Sequence, residues 1–253
     1  MEYIYLLGNK ISLITVKRLN EEIGNIVRSE YKEIIPNVNI HGINLANKFM
    51  WLKEFRNSKR IVFCDGQGVI LGARMLGKSI PERIPVTEWL WNLSSYCAKN
   101  KFSIFFIGSK QDIVERAAER LSNRYPELMI KGVYHGFFDK DGIENEQVIS
   151  IINQTKPDIL VVAFGMPLQE KWLKDNWKRI DAKVFLIGGA CFDYVSGYLK
   201  RGPKILNDNG LEWFCRLLIE PRRLWKRYLI GNSIFFFNIL KEAIFRKVFN
   251  VLE

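Results

Sequence analysis

Residues 102–124 read FSIFFIGSKQDIVERAAERLSNR. Residues 102–107 form a run broken by Gly108-Ser109, and from about Gln111 to Arg124 apolar residues recur at helical spacing. A run this apolar, with Ser103 its one polar residue, is a strand buried on both faces, and the periodic stretch after it is an amphipathic helix. The same rhythm recurs on both sides. Residues 60–64 form a short apolar strand followed by Asp65-Gly66-Gln67-Gly68 and a helix through Met75. Residues 128–133 form another strand. Residues 158–164 end in Gly165 and a helix beginning at Pro167, and residues 183–187 end in Gly188-Gly189.

This alternation predicts an α/β fold: a Rossmann-like parallel sheet with helices on both faces. Open parallel sheets bind ligands outside the carboxyl ends of their strands, so Asp65, Gly108, Gly165 and Gly188 are expected to converge on one crevice. The chain shows no internal repeat and no low-complexity linker. Near Ser196 the strand–helix rhythm stops and helices rich in arginine and aromatics begin. The expected division is an α/β domain over residues 1–195 and a C-terminal helical appendage over 196–253.

The chain has 253 residues and 48% hydrophobic content, enough for one large core. Its net charge of +11 calls for an anionic partner: nucleic acid, a lipid surface or a phosphate-bearing substrate. Residues 196–253 carry 11 Lys/Arg against 5 Asp/Glu, more than half of the excess. The four cysteines, Cys64, Cys97, Cys191 and Cys215, are far apart, so neither a zinc site nor a disulfide framework is indicated and a reducing compartment is expected. No signal-peptide pattern is seen at the N-terminus. The longest candidate span, residues 228–240, falls short of the ~20 residues a membrane helix needs and is interrupted by Gly231, Asn232, Ser233 and Asn238. The chain is therefore expected to lie on a membrane without crossing it.

Asp65 ends a strand at the crevice, where a carboxylate can act as general base, although Asp-Gly pairs also make ordinary turns. In Gly165-Met166-Pro167-Leu168-Gln169-Glu170, a proline at the first helical position would pre-organise a helix start able to bind phosphate, with Gln169 adding a side-chain bond. Gly108-Ser109 and Gly188-Gly189 match no phosphate-loop pattern and read equally as packing devices. Arg83 alone reads as a solvated charge. His41 and His135 are too isolated to argue a triad or a metal site. Asp139-Lys140-Asp141 looks like a metal-dependent sugar-transfer motif, but its polar surroundings favour a surface turn.

The C-terminal stretch is more specific. Pro221 opens a helix whose residues Leu224, Trp225, Tyr228, Leu229, Phe235, Phe236, Ile239 and Leu240 build a broad apolar face. Arg222 with Lys226, and Arg223 with Arg227, are like-charge pairs at i, i+4, which cost a few tenths of a kcal/mol each and would be relieved by an anion. Trp and Tyr beside the arginines favour a membrane surface or a phosphate.

These segments together resemble the WecG/TagA/CpsF glycosyltransferase family. Cys64-Asp65-Gly66-Gln67-Gly68-Val69 is similar to its D-G-x-G-v element and Pro81-Glu82-Arg83 to its p-E-R. Phe106-Ile107-Gly108, Ala117-Ala118-Glu119-Arg120-Leu121 and Tyr125-Pro126 resemble its central unit, and His135-Gly136-Phe137-Phe138 its H-G-y-f. Pro157-Asp158-Ile159-Leu160 and the stretch from Gly165 to Trp172 resemble p-D-i-l and G-x-P-x-Q-E-k-w. Gly188 to Asp193, Gly197, Arg201-Gly202-Pro203, Gly210 to Trp213, Arg216-Leu217, Glu220-Pro221-Arg222-Arg223 and Arg227-Tyr228 complete the ordered set. One departure is Gly42, two residues before Asn44, where many members carry threonine.

The resemblance implies a bacterial enzyme of surface-polysaccharide assembly. Such an enzyme transfers N-acetylmannosamine or a related hexose from a UDP-sugar to a saccharide on undecaprenyl diphosphate, with inversion. It implies Asp65 as general base and Asn44, Arg83, Gly108, Gln169 and Asp193 around the donor. It places Arg216, Arg222, Arg223 and Arg227 at the lipid diphosphate and needs no metal or other cofactor. It also implies a peripheral position on the cytoplasmic face of the inner membrane; homo-oligomerisation stays open. A glucosyl-transferring member acting in exopolysaccharide assembly is the alternative within the family. From other classes, a basic nucleic-acid-binding module would want its charge along a groove rather than on one amphipathic helix. A nucleotide-dependent oxidoreductase would want the absent G-x-G-x-x-G.

Overall fold

A computed structural model describes residues 1–200, 202–203, 206 and 211–249. Arg201 and Gly210, which take part in the resemblance, lie outside the described residues.

The sheet is parallel. Strands β3 (Glu33–Ile35), β6 (Ser103–Gly108), β7 (Met129–Tyr134), β8 (Ile159–Ala163) and β9 (Val184–Ile187) lie in the order β3-β9-β8-β6-β7. Every residue of β6, β8 and β9 is buried, as strands covered on both faces must be, whereas the edge strand β7 is half-exposed. Side chains alternate between two cores with the period of two that a strand imposes. Ile104, Phe106, Val161, Val184 and Leu186 face helices α1 (Val16–Val27), α5 (Val86–Asn100), α6 (Gln111–Arg124) and α9 (Cys191–Val195). Phe105, Ile107, Leu160, Val162, Phe185 and Ile187 face α3 (Met50–Asn57), α7 (Gly142–Thr155) and α8 (Leu168–Asn176). The predicted fold class is what the structure has.

The strand expected over 60–64 is shorter and sits elsewhere. Only β5 (Phe63–Cys64) is a strand, and it pairs in parallel with β4 (Asn37–Val38) in a separate two-stranded sheet. Pro36 sits between β3 and β4, so one line of chain passes from the larger sheet to the smaller. Phe63 N–H donates to Pro36 O at 3.1 Å, and the Asn37 side-chain amide donates to Ile187 O at 2.8 Å. An antiparallel hairpin of β1 (Tyr3–Leu6) and β2 (Asn9–Ser12) flanks it. Val62 exchanges bonds with Ser12 of this hairpin, which is why the apolar run before Phe63 adds no further strand pairs.

The C-terminal segment docks on the small sheet. α10 (Glu212–Ile219) leads to α11 (Pro221–Trp225), a π-helical turn (Lys226–Ile230) and α12 (Gly231–Phe249). Phe235 and Ile239 are fully buried with Leu6, Val38, Ile43, Val69, Ile70 and Ala73 from the hairpin, β4, α2 (Ile40–Lys48) and α4 (Gln67–Met75). The expected interruption at Gly231 does not occur: the helical path runs on from Pro221, and its first 25 residues, to Phe245, are long and apolar enough to cross a membrane. The Gly231 carbonyl accepts a bond from Asn44 Nδ2 at 2.7 Å, which ties the start of α12 to α2.

Candidate active site

The chain moves from β6 outward to β7, then returns to β8 on the other side of β6. This reversal is the topological switch point where a parallel sheet opens a crevice at its strand ends. Gly108 lies there with φ +150°, and an added Cβ would stand 2.4 Å from Ala163 O, so only glycine fits. Side chains and amides then stitch the strand ends along one edge. Gly136 N–H, beyond β7, donates to Ser109 O at 2.8 Å, and Ser109 Oγ donates to Asp193 Oδ1 at 2.6 Å. Gln169 Oε1 accepts from Gly165 N and from Gly189 N, each at 3.1 Å, tying the β8 and β9 ends together. Gln169 is fully buried, and its Nε2 is a donor without a partner among the described residues. Pro167 sits one residue outside α8, after a cis Met166–Pro167 peptide, so it does not hold the first helical position expected of it.

Asp65 stands at the β5 end of the same edge. Its Oδ1 accepts from Val86 N at 3.1 Å and its Oδ2 from Asn39 Nδ2 at 3.0 Å. Asn39 is the N-cap of α2, with Oδ1 accepting from Gly42 N at 3.0 Å. Since the cap uses the oxygen, the amide nitrogen is the atom left for Asp65. The asparagine that meets Asp65 is therefore Asn39, whereas Asn44 turns to Gly231 in α12. Sequence reasoning missed Asn39, although a polar capping residue just ahead of a periodic helix was the available signal. Counting from Asn39, the residue two positions earlier is Asn37. Gly42 meets a different constraint: a Cβ there would lie 2.8 Å from Arg56 Nη1.

The other named residues divide into two groups. Arg83 Nη2 donates to Glu212 Oε2 at 2.6 Å, and its neighbour Glu82 accepts from Val16 N at 2.7 Å. Arg216 stacks on Tyr194 at 5.6 Å and Arg227 on Tyr228 at 5.4 Å. Burial opposes the Arg216 charge, but Tyr228, Tyr194, Glu220 and Glu212 carry its pKa above the ordinary arginine value. Burial lowers the pKa of Arg227, with Tyr228 and Asp65 acting against the fall and Arg216 and Arg223 adding to it. Arg227 thus lies within electrostatic reach of Asp65, and Arg216 within reach of Arg227. Arg222 and Arg223 stay exposed, and Arg223 pairs with Glu220. His41, one residue into α2, has its pKa lowered to about 4 by burial, Arg227 and Arg56.

Asp139-Lys140-Asp141 forms a surface turn: Asp139 Oδ1 accepts from Asp141 N at 3.1 Å, and Lys140 Nζ donates to Gly136 O at 2.9 Å. The four cysteines are buried free thiols; burial pushes the Cys64 thiol up to about 12.

The chain is similar to known proteins. The chain is 31% identical over 194 residues to the N-acetylglucosaminyldiphosphoundecaprenol N-acetyl-beta-D-mannosaminyltransferase of Bacillus subtilis (strain 168), covering 76% of this chain and 73% of that one. It is 29% identical over 199 residues to the enzyme of that name from Staphylococcus aureus (strain NCTC 8325 / PS 47), covering 79% and 76%. The glycosyl transferase WecG/TagA/CpsF family matches residues 4–248, and the chain belongs to that family.

Proposed function

We propose that this glycosyltransferase moves N-acetylmannosamine, or a related hexose, from a UDP-sugar to a saccharide carried on undecaprenyl diphosphate. The observation that carries this reading is the held carboxylate of Asp65 on the strand-end edge, with the partly buried Arg227 close enough to sense its charge. In the reaction, an acceptor hydroxyl attacks the anomeric carbon and gives its proton to Asp65. The bond from that carbon to the UDP phosphate breaks on the opposite face, so one displacement inverts the centre. Charge on the departing diphosphate is met by Arg83 and the Gln169 Nε2 donor beside the Gly108 and Gly165 turns, with Asp193 oriented by Ser109. These donors suffice without a metal in our reading. The names of the relatives, which specify a diphosphoundecaprenol acceptor, support the choice of acceptor. No role for nucleic acid is included.

We assign residues 1–195 to catalysis and residues 196–253 to the lipid. α12 is apolar on two sides. Phe235 and Ile239 enter the core, while Ile234, Phe237, Leu240, Ile244 and Phe245 are 49–67% exposed. An exposed apolar stripe of this kind beside Arg222, Arg223 and Lys226 suits the plane of an anionic bilayer. There Arg216, Arg222, Arg223 and Arg227 reach the acceptor diphosphate, and the helix lies on the cytoplasmic face rather than through the membrane, because its inner side is taken by the core.

The test is UDP release with a panel of UDP-sugars and a short-tailed polyprenyl-diphosphate N-acetylglucosamine, with and without EDTA. Turnover with UDP-N-acetylmannosamine is expected, unchanged by EDTA, and Asp65→Asn should abolish it while leaving the fold intact. An active Asp65→Asn variant rejects Asp65 as the base; no release with any donor rejects the reading.

A further inference from the structure

The ion pair of Arg56 and Glu170 has no part in the chemistry above, yet it links α3 to the first turn of α8, which carries Gln169. Both side chains are buried, at 2% and 0% exposure. Arg56 Nη2 donates to Glu170 Oε1 at 2.8 Å and Nη1 donates to Gly42 O at 2.7 Å. Gly42 N–H donates to Asn39 Oδ1, and Asn39 Nδ2 donates to Asp65 Oδ2, each at 3.0 Å. A continuous path of hydrogen bonds therefore runs from α8 through the Arg56 fork and the first turn of α2 to Asp65.

As a stabilising device this pair is poor. Two charges lose their water, and Arg56 Nε and Glu170 Oε2 have no partners among the described residues. Apolar side chains of the same volume would fill the space as well, but could not hold the Gly42 carbonyl. A lysine would match the charge of Glu170 without a planar fork able to serve both acceptors. Gly42 completes the fit, since any side chain there would meet the guanidinium.

We propose that Arg56 is a positioning residue for Asp65, acting through Gly42 and Asn39. The proposal rests on the reading of Asp65 as the base. Arg56→Lys, Asn39→Ala and the double variant are compared in kcat, donor KM and the number of UDP-binding sites. Each single variant is expected to lower kcat per UDP-binding site on the order of tenfold, with donor KM within about twofold of the parent. The double variant is expected to be no slower than the slower single one, because both changes cut one path. A purely structural role would lower the number of sites and leave kcat per site alone. That result, or effects that multiply in the double variant, overturns the proposal. Should Arg56→Lys fail to fold, Arg56→Met combined with Glu170→Gln removes both charges and goes through the same cycle with Asn39→Ala, read by the same outcomes. The two readings fail separately: an active Asp65→Asn removes the base and the proposal with it, whereas an inactive Asp65→Asn with multiplying Arg56 and Asn39 effects removes the proposal alone.

Discussion

Arg83 Nη2 donates to Glu212 Oε2 at 2.6 Å, which fastens the start of α10 to the loop between α4 and α5. The pair is mostly covered, at 16% and 22% exposure. A hydrogen bond between charged groups in such a place contributes roughly 1.5–3 kcal/mol. Thermal denaturation of Arg83→Ala, Glu212→Ala and the double variant should show a favourable coupling of about 1 kcal/mol or more. Donor binding separates the two partners. Titration with UDP should show weaker binding for Arg83→Ala and parental binding for Glu212→Ala. Equal losses would mean that Arg83 serves only to hold α10.

Asn39 holds α2 with one atom and Asp65 with another, so two substitutions part its roles. Asn39→Ala loses both and should cost about 1 kcal/mol of stability through the cap. Asn39→Asp keeps a capping oxygen but sets a second carboxylate against Asp65, and like charges at hydrogen-bonding distance cannot both ionise cheaply. Asn39→Asp should therefore melt closer to the parent than Asn39→Ala while turning over more slowly. Paired melting curves and initial rates check this.

His41 gives the fold a pH dependence of known sign. Its pKa is lowered to about 4 in the folded protein, against 6.5 for the ordinary side chain. Between these values the unfolded chain binds a proton that the folded one refuses, so the contribution is complete above pH 6.5 and is lost as pH falls towards 4. Carboxylates titrate in the same window, so the His41→Gln variant is the control. Its melting temperature should fall less than the parent's between pH 6.5 and 4; parallel curves would show that His41 is not buried beside Arg227 and Arg56.

Four of the five strands of the central sheet were legible because they are largely apolar runs, whereas β3, three residues long, gave no run to read. Residues 102–107 and 183–187 could be little else, and the glycines after them mark the ends where the site lies. The smaller sheet was not. Asn37–Val38 and Phe63–Cys64 are two-residue strands, cut off by Pro36 on one side and by the pairing of Val62 with Ser12 on the other. No periodicity can be read from two residues. The same holds for the site. Asp65 could be chosen from its place at a strand end. Asn39 carried the signal of a cap, but not that its amide meets Asp65, because that contact depends on how α2 sits against the β5 end. Arg56 carried no signal: a guanidinium in Lys-Glu-Phe-Arg-Asn reads as a surface charge, and its burial depends on Glu170, more than a hundred residues later.

The two sides of α12 make opposite predictions. Phe235 is fully buried against Val69, Ile70 and Gly72, whose own Cβ would lie 2.7 Å from the ring. Phe235→Ala should cost about 3–5 kcal/mol and release the helix from the small sheet, a loss seen in chemical denaturation with or without lipid. Phe237, two residues on, is 67% exposed and faces away from that core. Phe237→Glu should leave stability within about 0.5 kcal/mol of the parent, as surface changes usually do. Its effect should appear instead on vesicles of mixed neutral and anionic phospholipid, where a charge on the apolar stripe opposes insertion. Flotation with such vesicles should show much less bound Phe237→Glu than parent, and its rate should fall with membrane-embedded acceptor but not with a short-tailed soluble one. Equal binding by Phe237→Glu and the parent would move the membrane contact off this face of α12 and onto the arginines alone.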